Sequence, residues 1–182
     1  NVSETPVFEV MLTAPDKYSS VVNEGAPVTI NASASTADSL ILLLNDTRLT
    51  KVNDVTAAYS LTASGTGLFK IVARAWKNLE PKEDSAFYYV MPPVVVEEVP
   101  AGLKPGVNIT GDNSAAFLLY APGKDNVFVT SDFNGWIFRD EGFMKQSPDG
   151  NWFWLAVDGL DPATEYAFQY VVDGTIRIPD PY

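Results

Sequence analysis

Few residues of this chain could do chemistry. Its 182 residues include no cysteine and no histidine. That excludes thiolate or imidazole metal sites, thiol nucleophiles, histidine-based triads and a disulfide framework. Carboxylates are plentiful, with 23 Asp and Glu against 12 Lys and Arg, for a net charge of −11. Two of them set about 5–10 Å apart across a glycosidic bond could hydrolyse it. Asp140-Glu141 and Asp180 are present, but nothing in their spacing places a pair in a cleft, so they read as solvated surface charges. The expectation is no catalytic residue, no metal ligand and no cofactor. What remains is aromatic. Val127-Phe128-Val129 runs into Ser131-Asp132-Phe133-Asn134-Gly135-Trp136, where Asn134-Gly135 carries the strongest short hairpin signal, a type I′ turn with two positive φ angles. A tight corner there sets the Trp136 indole at the rim of a sheet, either closing a core or lying open as a flat platform.

The elements that must hold this stretch are strands. Apolar residues make up 46% of the chain, and 12 glycines and 13 prolines punctuate it, with no long run of helical period. The net negative charge and the lack of a basic run set nucleic acid aside as a partner, and no stretch has the ~18 apolar residues of a spanning helix. Strands are expected at Val7–Leu12, Val28–Ala34, Leu40–Leu44, Ala58–Ala63, Phe69–Trp76 and Ser85–Val90, with Leu40–Leu44 buried throughout. That is the pattern of an immunoglobulin-like sandwich over residues 1–92, without the cysteine pair of antibody domains. Trp76 and Tyr88-Tyr89 are expected to pack.

Prolines at both ends of Pro92-Pro93-Val94-Val95-Val96-Glu97-Glu98-Val99-Pro100 make residues 93–103 an extended connector, whose valines could instead begin the next sheet. A second sandwich is expected over residues 104–182, with strands at Ala115–Tyr120, Val127–Val129, Phe143–Gln146, Trp152–Val157, Glu165–Val172 and Thr175–Ile178. Trp152, Trp154 and Ala156 share one face of their strand, and the tryptophans are expected in the core. The fold class is therefore all-β, two immunoglobulin-like β-sandwich domains in tandem.

The order Asp132-Phe133-Asn134-Gly135-Trp136, Met144, Asp149-Gly150-Asn151-Trp152, Gly159-Leu160, Tyr166, Phe168, Val172-Asp173-Gly174 resembles carbohydrate-binding module family 48, over roughly residues 104–178. These early-set sandwiches precede the barrel of α-amylase-family enzymes (glycoside hydrolase family 13), and the glycogen-binding module of the AMP-activated kinase β subunit is similar. The ending Arg177-Ile178-Pro179-Asp180-Pro181-Tyr182 resembles the lead-in to that barrel. Glucan-binding members use a tryptophan of the F-N-x-W turn, a lysine, and a second tryptophan after the Asp-Gly turn. Here Trp136 keeps the first platform, Gln169 stands where the lysine would, and Ile176 replaces the second tryptophan. The resemblance implies Trp136, Gln169 and Asn134 as carbohydrate-binding residues.

The expected function is the non-catalytic N-terminal region of an extracellular, surface or periplasmic α-amylase-family enzyme. Its partners would be the C-terminal catalytic barrel of the same polypeptide, which it positions, and α-glucan polysaccharide. A stand-alone surface starch- or glycogen-binding protein, or an adhesion module sharing only the sandwich, is the alternative, because fold by itself does not specify function.

Overall fold

Pro27–Ala34 buries Val28, Ile30, Ala32 and Ala34 and turns the intervening residues outward. That period of two is what a half-buried strand requires. It recurs along the chain, and the fold is all-β. The computed structural model describes residues 7–16 and 20–182, and it divides between Met91 and Pro92 into two compact units.

The first unit runs β1 (Val10–Ala14), β2 (Ser20–Val22), β3 (Pro27–Ala34), β4 (Ser39–Leu44), β5 (Thr47–Val52), β6 (Thr56–Thr62), β7 (Gly67–Lys77) and β8 (Glu80–Val90). These form two sheets, ordered β1-β3-β6 and β2-β8-β7-β4-β5. Ile30 from the first and Leu40, Leu42, Ile71 and Tyr88 from the second belong to one buried apolar cluster, so the unit is a sandwich. The run Leu40–Leu44 is not buried throughout. Leu40 and Leu42 face the core, while Ile41 and Leu43 lie half-buried on the other side. Tyr88 and Tyr89 are buried, but Trp76 is not a core residue; it lies half-buried on the outer face with Arg74.

The second unit runs β9 (Gly106–Gly111), β10 (Ser114–Tyr120), β11 (Val127–Ser131), β12 (Lys145–Gln146), β13 (Trp152–Asp158), β14 (Phe168–Val172) and β15 (Ile176–Ile178). Two 3-10 turns, Asp132–Asn134 and Asp140–Gly142, lie between β11 and β12. The sheets are ordered β12-β13-β10-β9 and β11-β14-β15, and Phe117, Leu119, Val129, Met144, Phe153 and Tyr170 are buried together in the second core.

Two expectations are refined here. In β13 the core face is Phe153, Leu155 and Val157, so Trp152 and Trp154 point away from the sandwich centre. Trp154 is nonetheless buried, as expected; its indole N–H donates to the Glu97 carbonyl (3.2 Å) and the Lys145 ammonium lies 4.6 Å from its ring centre. Within residues 93–103 the valines follow the other reading and lie beside the next sheet. The Glu97 N–H donates to the Gln146 carbonyl and the Gln146 N–H to that of Val95, both at 2.9 Å, so the segment lies parallel beside β12. Its prolines bar a regular strand without barring these two bonds.

Candidate functional site

The site is built at the end of β11, where the sheet stops and the chain must leave it. Ser131 ends the strand and caps the 3-10 turn Asp132–Asn134, and Asn134 returns the favour: its Oδ1 accepts the Ser131 N–H at 2.9 Å. Its Nδ2 donates to the Val129 carbonyl at 2.8 Å. This reciprocal capping box satisfies main-chain groups that the turn would otherwise leave open. It also corrects one expectation. Asn134-Gly135 is not a type I′ hairpin turn, because the positive φ angles fall one residue later, on Gly135 (67°) and Trp136 (61°). The Asn134 side chain is 5% exposed, with its amide committed to the backbone.

A tryptophan at positive φ is uncommon, since its Cβ crowds the following carbonyl. Two bonds hold Trp136 there. Its N–H donates to the Ser131 carbonyl at 2.9 Å, and its indole Nε1–H donates to Asp132 Oδ1 at 2.8 Å. The other oxygen of Asp132 accepts the Ala167 N–H at 2.7 Å, fastening the corner to the residue that precedes β14. The ring is half-buried, neither sealed in the core nor fully open.

These two donors, Trp136 first and Ala167 second, hold the Asp132 carboxyl below its ordinary value of 3.8. A folded-state value below the unfolded one stabilises the fold above the unfolded value, and that contribution is lost as pH falls through the folded value. The Trp136 indole N–H resonance is therefore expected to hold steady from neutral pH down to about 4 and to move only in more acid solution. Asp132→Asn should abolish that acid-side movement, as an NMR titration would show. An unchanged titration in the variant would exclude Asp132 as the anchor.

Gln169 lies on β14 opposite Thr130, and its Nε2 donates to Thr130 Oγ1 at 3.2 Å. Its partner on the sheet is thus a protein hydroxyl. Ile176 pairs with Val172, whereas Val171 pairs with Arg177. Alternation therefore puts Gln169 and Ile176 on opposite faces of the sheet. Ile176 is 48% exposed but does not extend a platform shared with Gln169.

The ground under the corner is a small aromatic layer. Phe128 on β11 is fully buried, its ring 4.6 Å from that of Phe143 and 4.8 Å from that of Phe138. Gly142 lies against the strand so closely that a Cβ there would collide with the Val129 carbonyl and press on the Asn134 amide. The segment after Trp136 is thus folded down over the outer face of β11. Asp132, the anchor of the indole, is the residue that sequence reasoning missed. Its signal was present as Ser131-Asp132-Phe133-Asn134, a capping pattern at a strand end.

No helix among the described residues is long and apolar enough to cross a membrane. No family profile and no curated protein sequence matches the chain. Among solved structures it is similar to the fibronectin(III)-like modules of Clostridium thermocellum CbhA, at 15% identity over 45% of this chain and 94% of that one, TM-score 0.40. It is similar to the Parabacteroides merdae β-glucuronidase, at 8% identity over 96% of this chain and 24% of that one, TM-score 0.42. A β-glycosidase from Bacteroides vulgatus is similar at 13% identity, again over 96% and 24%, with TM-score 0.36. The chain spans about a quarter of the length of each of these two enzymes.

Proposed function

We propose that this chain is a non-catalytic accessory region of an α-amylase-family glycoside hydrolase, which positions the catalytic barrel and contacts α-glucan through Trp136. The observation that carries the reading is the setting of that indole. It is held at a strained φ of 61°, hydrogen-bonded at 2.8 Å to a carboxylate, and left half-buried. Strain of this kind is kept where the surrounding structure imposes it, often at ligand clamps. A ring already fixed in place costs little further entropy on binding a sugar, whose C–H face packs against it. The ordered motifs from Asp132-Phe133-Asn134-Gly135-Trp136 to Val172-Asp173-Gly174 support the α-amylase-family assignment. Gln169 acts as a secondary polar contact, and Asn134 acts only by shaping the corner. The working location is extracellular, on the cell surface or in the periplasm, where polymeric glucan is met.

Native electrophoresis in gels containing amylopectin tests the binding. The chain is expected to be retarded, and Trp136→Ala to weaken the apparent affinity about ten-fold, the effect of losing one stacked aromatic ring. Absence of retardation, or retardation that survives the substitution, overturns the assignment of this site. The parental class is tested separately by the gene sequence after the codon for Tyr182. A repeating (β/α)₈ pattern is expected there, and an immediate stop codon overturns it.

A further inference from the structure

The register of the five-stranded sheet brings side chains of different chemistry to one place on its outer face. Ser39 pairs with Trp76, and Ile41 pairs with Arg74 on one side and Lys51 on the other. Cross-strand partners share a face, so these residues stand together while Leu40, Leu42, Ala73 and Ala75 fill the core behind them. Past the end of β7 the chain reverses through Asn78-Leu79, whose φ angles are both positive (50° and 68°). Glycine is the residue favoured in such a turn, yet here a leucine occupies it, 93% exposed. Asp38 fastens this hairpin: it accepts the Asn78 N–H at 2.8 Å, and its own N–H donates to the Trp76 carbonyl at 2.7 Å.

Between these residues lies a shallow pocket of about 300 Å³, walled by Trp76, Ile41 and Leu79, with Asp38, Ser39 and Lys51 around it. The Arg74 guanidinium, itself paired with Glu83, lies 5.7 Å from the centre of the indole and steadies the ring. The Ser39 hydroxyl, the Lys51 ammonium and the Trp76 indole N–H make no hydrogen bond to another described residue and are open to a ligand.

We infer that this pocket is a carbohydrate-binding site on the first unit, taking a pyranose ring of a neutral glycan. A pyranose needs an apolar wall for its C–H face and both donors and acceptors for its hydroxyls. Trp76, Ile41 and Leu79 supply the first, and Ser39, Lys51 and Asp38 the second. The volume is at the lower end of small-ligand pockets, suited to one or two sugar rings. One ammonium and one carboxylate at the pocket cancel in charge, and the chain's net −11 disfavours an anionic ligand. The backbone strain and the bare apolar side chain at Leu79 both find a use when that side chain closes on a bound ring. This site shares a ligand class with the one around Trp136 but none of its residues, so each stands or falls alone.

The test follows the indole N–H resonances of the full chain during separate titrations with maltoheptaose and cellohexaose. The Trp76 resonance is expected to shift and saturate with at least one of them. Ser39→Ala and Lys51→Ala should each weaken that response about five-fold, the worth of one hydrogen bond, with an unchanged melting temperature. A Trp76 resonance that stays still up to about 20 mM of both sugars overturns the site. A response that neither substitution weakens also overturns it. Movement of Trp136 alone overturns this inference and spares the Trp136 reading. Movement of Trp76 alone supports this inference and counts against that reading.

Discussion

Asn134→Ala is expected to cost the second unit about 3 kcal/mol, because it strands two buried main-chain groups at about 1–3 kcal/mol each. The side-chain amide has one partner on each side: the Ser131 N–H on its oxygen at 2.9 Å and the Val129 carbonyl on its nitrogen at 2.8 Å. Alanine offers neither, and water has no easy path to a residue that is 5% exposed. Asn134→Asp sharpens the test. It keeps an acceptor for Ser131 but turns a carboxylate oxygen toward the Val129 carbonyl, and it should be no better than alanine. Urea unfolding followed by tryptophan fluorescence suits the measurement, since Trp136, Trp152 and Trp154 all lie in the second unit. A loss under about 1 kcal/mol would mean that the capping box is not what holds the corner.

The second large effect is expected at Phe128. Truncating a buried phenylalanine to alanine costs about 3–5 kcal/mol, and this ring has no exposure at all. It also underlies the segment after the corner, stacking on Phe143 at 4.6 Å and meeting Phe138 edge-on at 4.8 Å. Phe128→Ala should therefore free the chain around Gly142 and unsettle Trp136, so glucan retardation should fall along with stability. Leu155→Ala removes a core residue on the other sheet and serves as the control. It should lower stability without touching retardation at temperatures where the unit remains folded. If both variants lose retardation equally, the aromatic layer under the corner has no special part in setting the indole.

Much of the fold could be read from residue order, for a definite reason. Where a strand buries one face only, as in β3, burial imposes a period of two that residue order records directly. Where burial is absent the record is faint. Thr47–Val52 is a mostly polar edge strand and Ser20–Val22 only three residues long, and neither announces itself. Gly106–Gly111, the outer strand of its sheet, exposes Ile109 at 81% and was equally silent.

By itself the sequence determined the class, since this follows from composition and short-range pattern. It also singled out the corner at Ser131–Trp136. Only the tertiary structure decided which way the tryptophans face. Both faces of β13 are apolar, so alternation alone could not tell Trp154 from Phe153. The choice came from a distant segment, Val95–Glu97, laid over the outer face. Trp76 likewise turned out to wall a pocket because strand register set Ser39 and Lys51 beside it. Asn134 lies inside for the same reason: a polar side chain belongs there when two main-chain partners meet it, and those partners are assembled only when the sheet is complete.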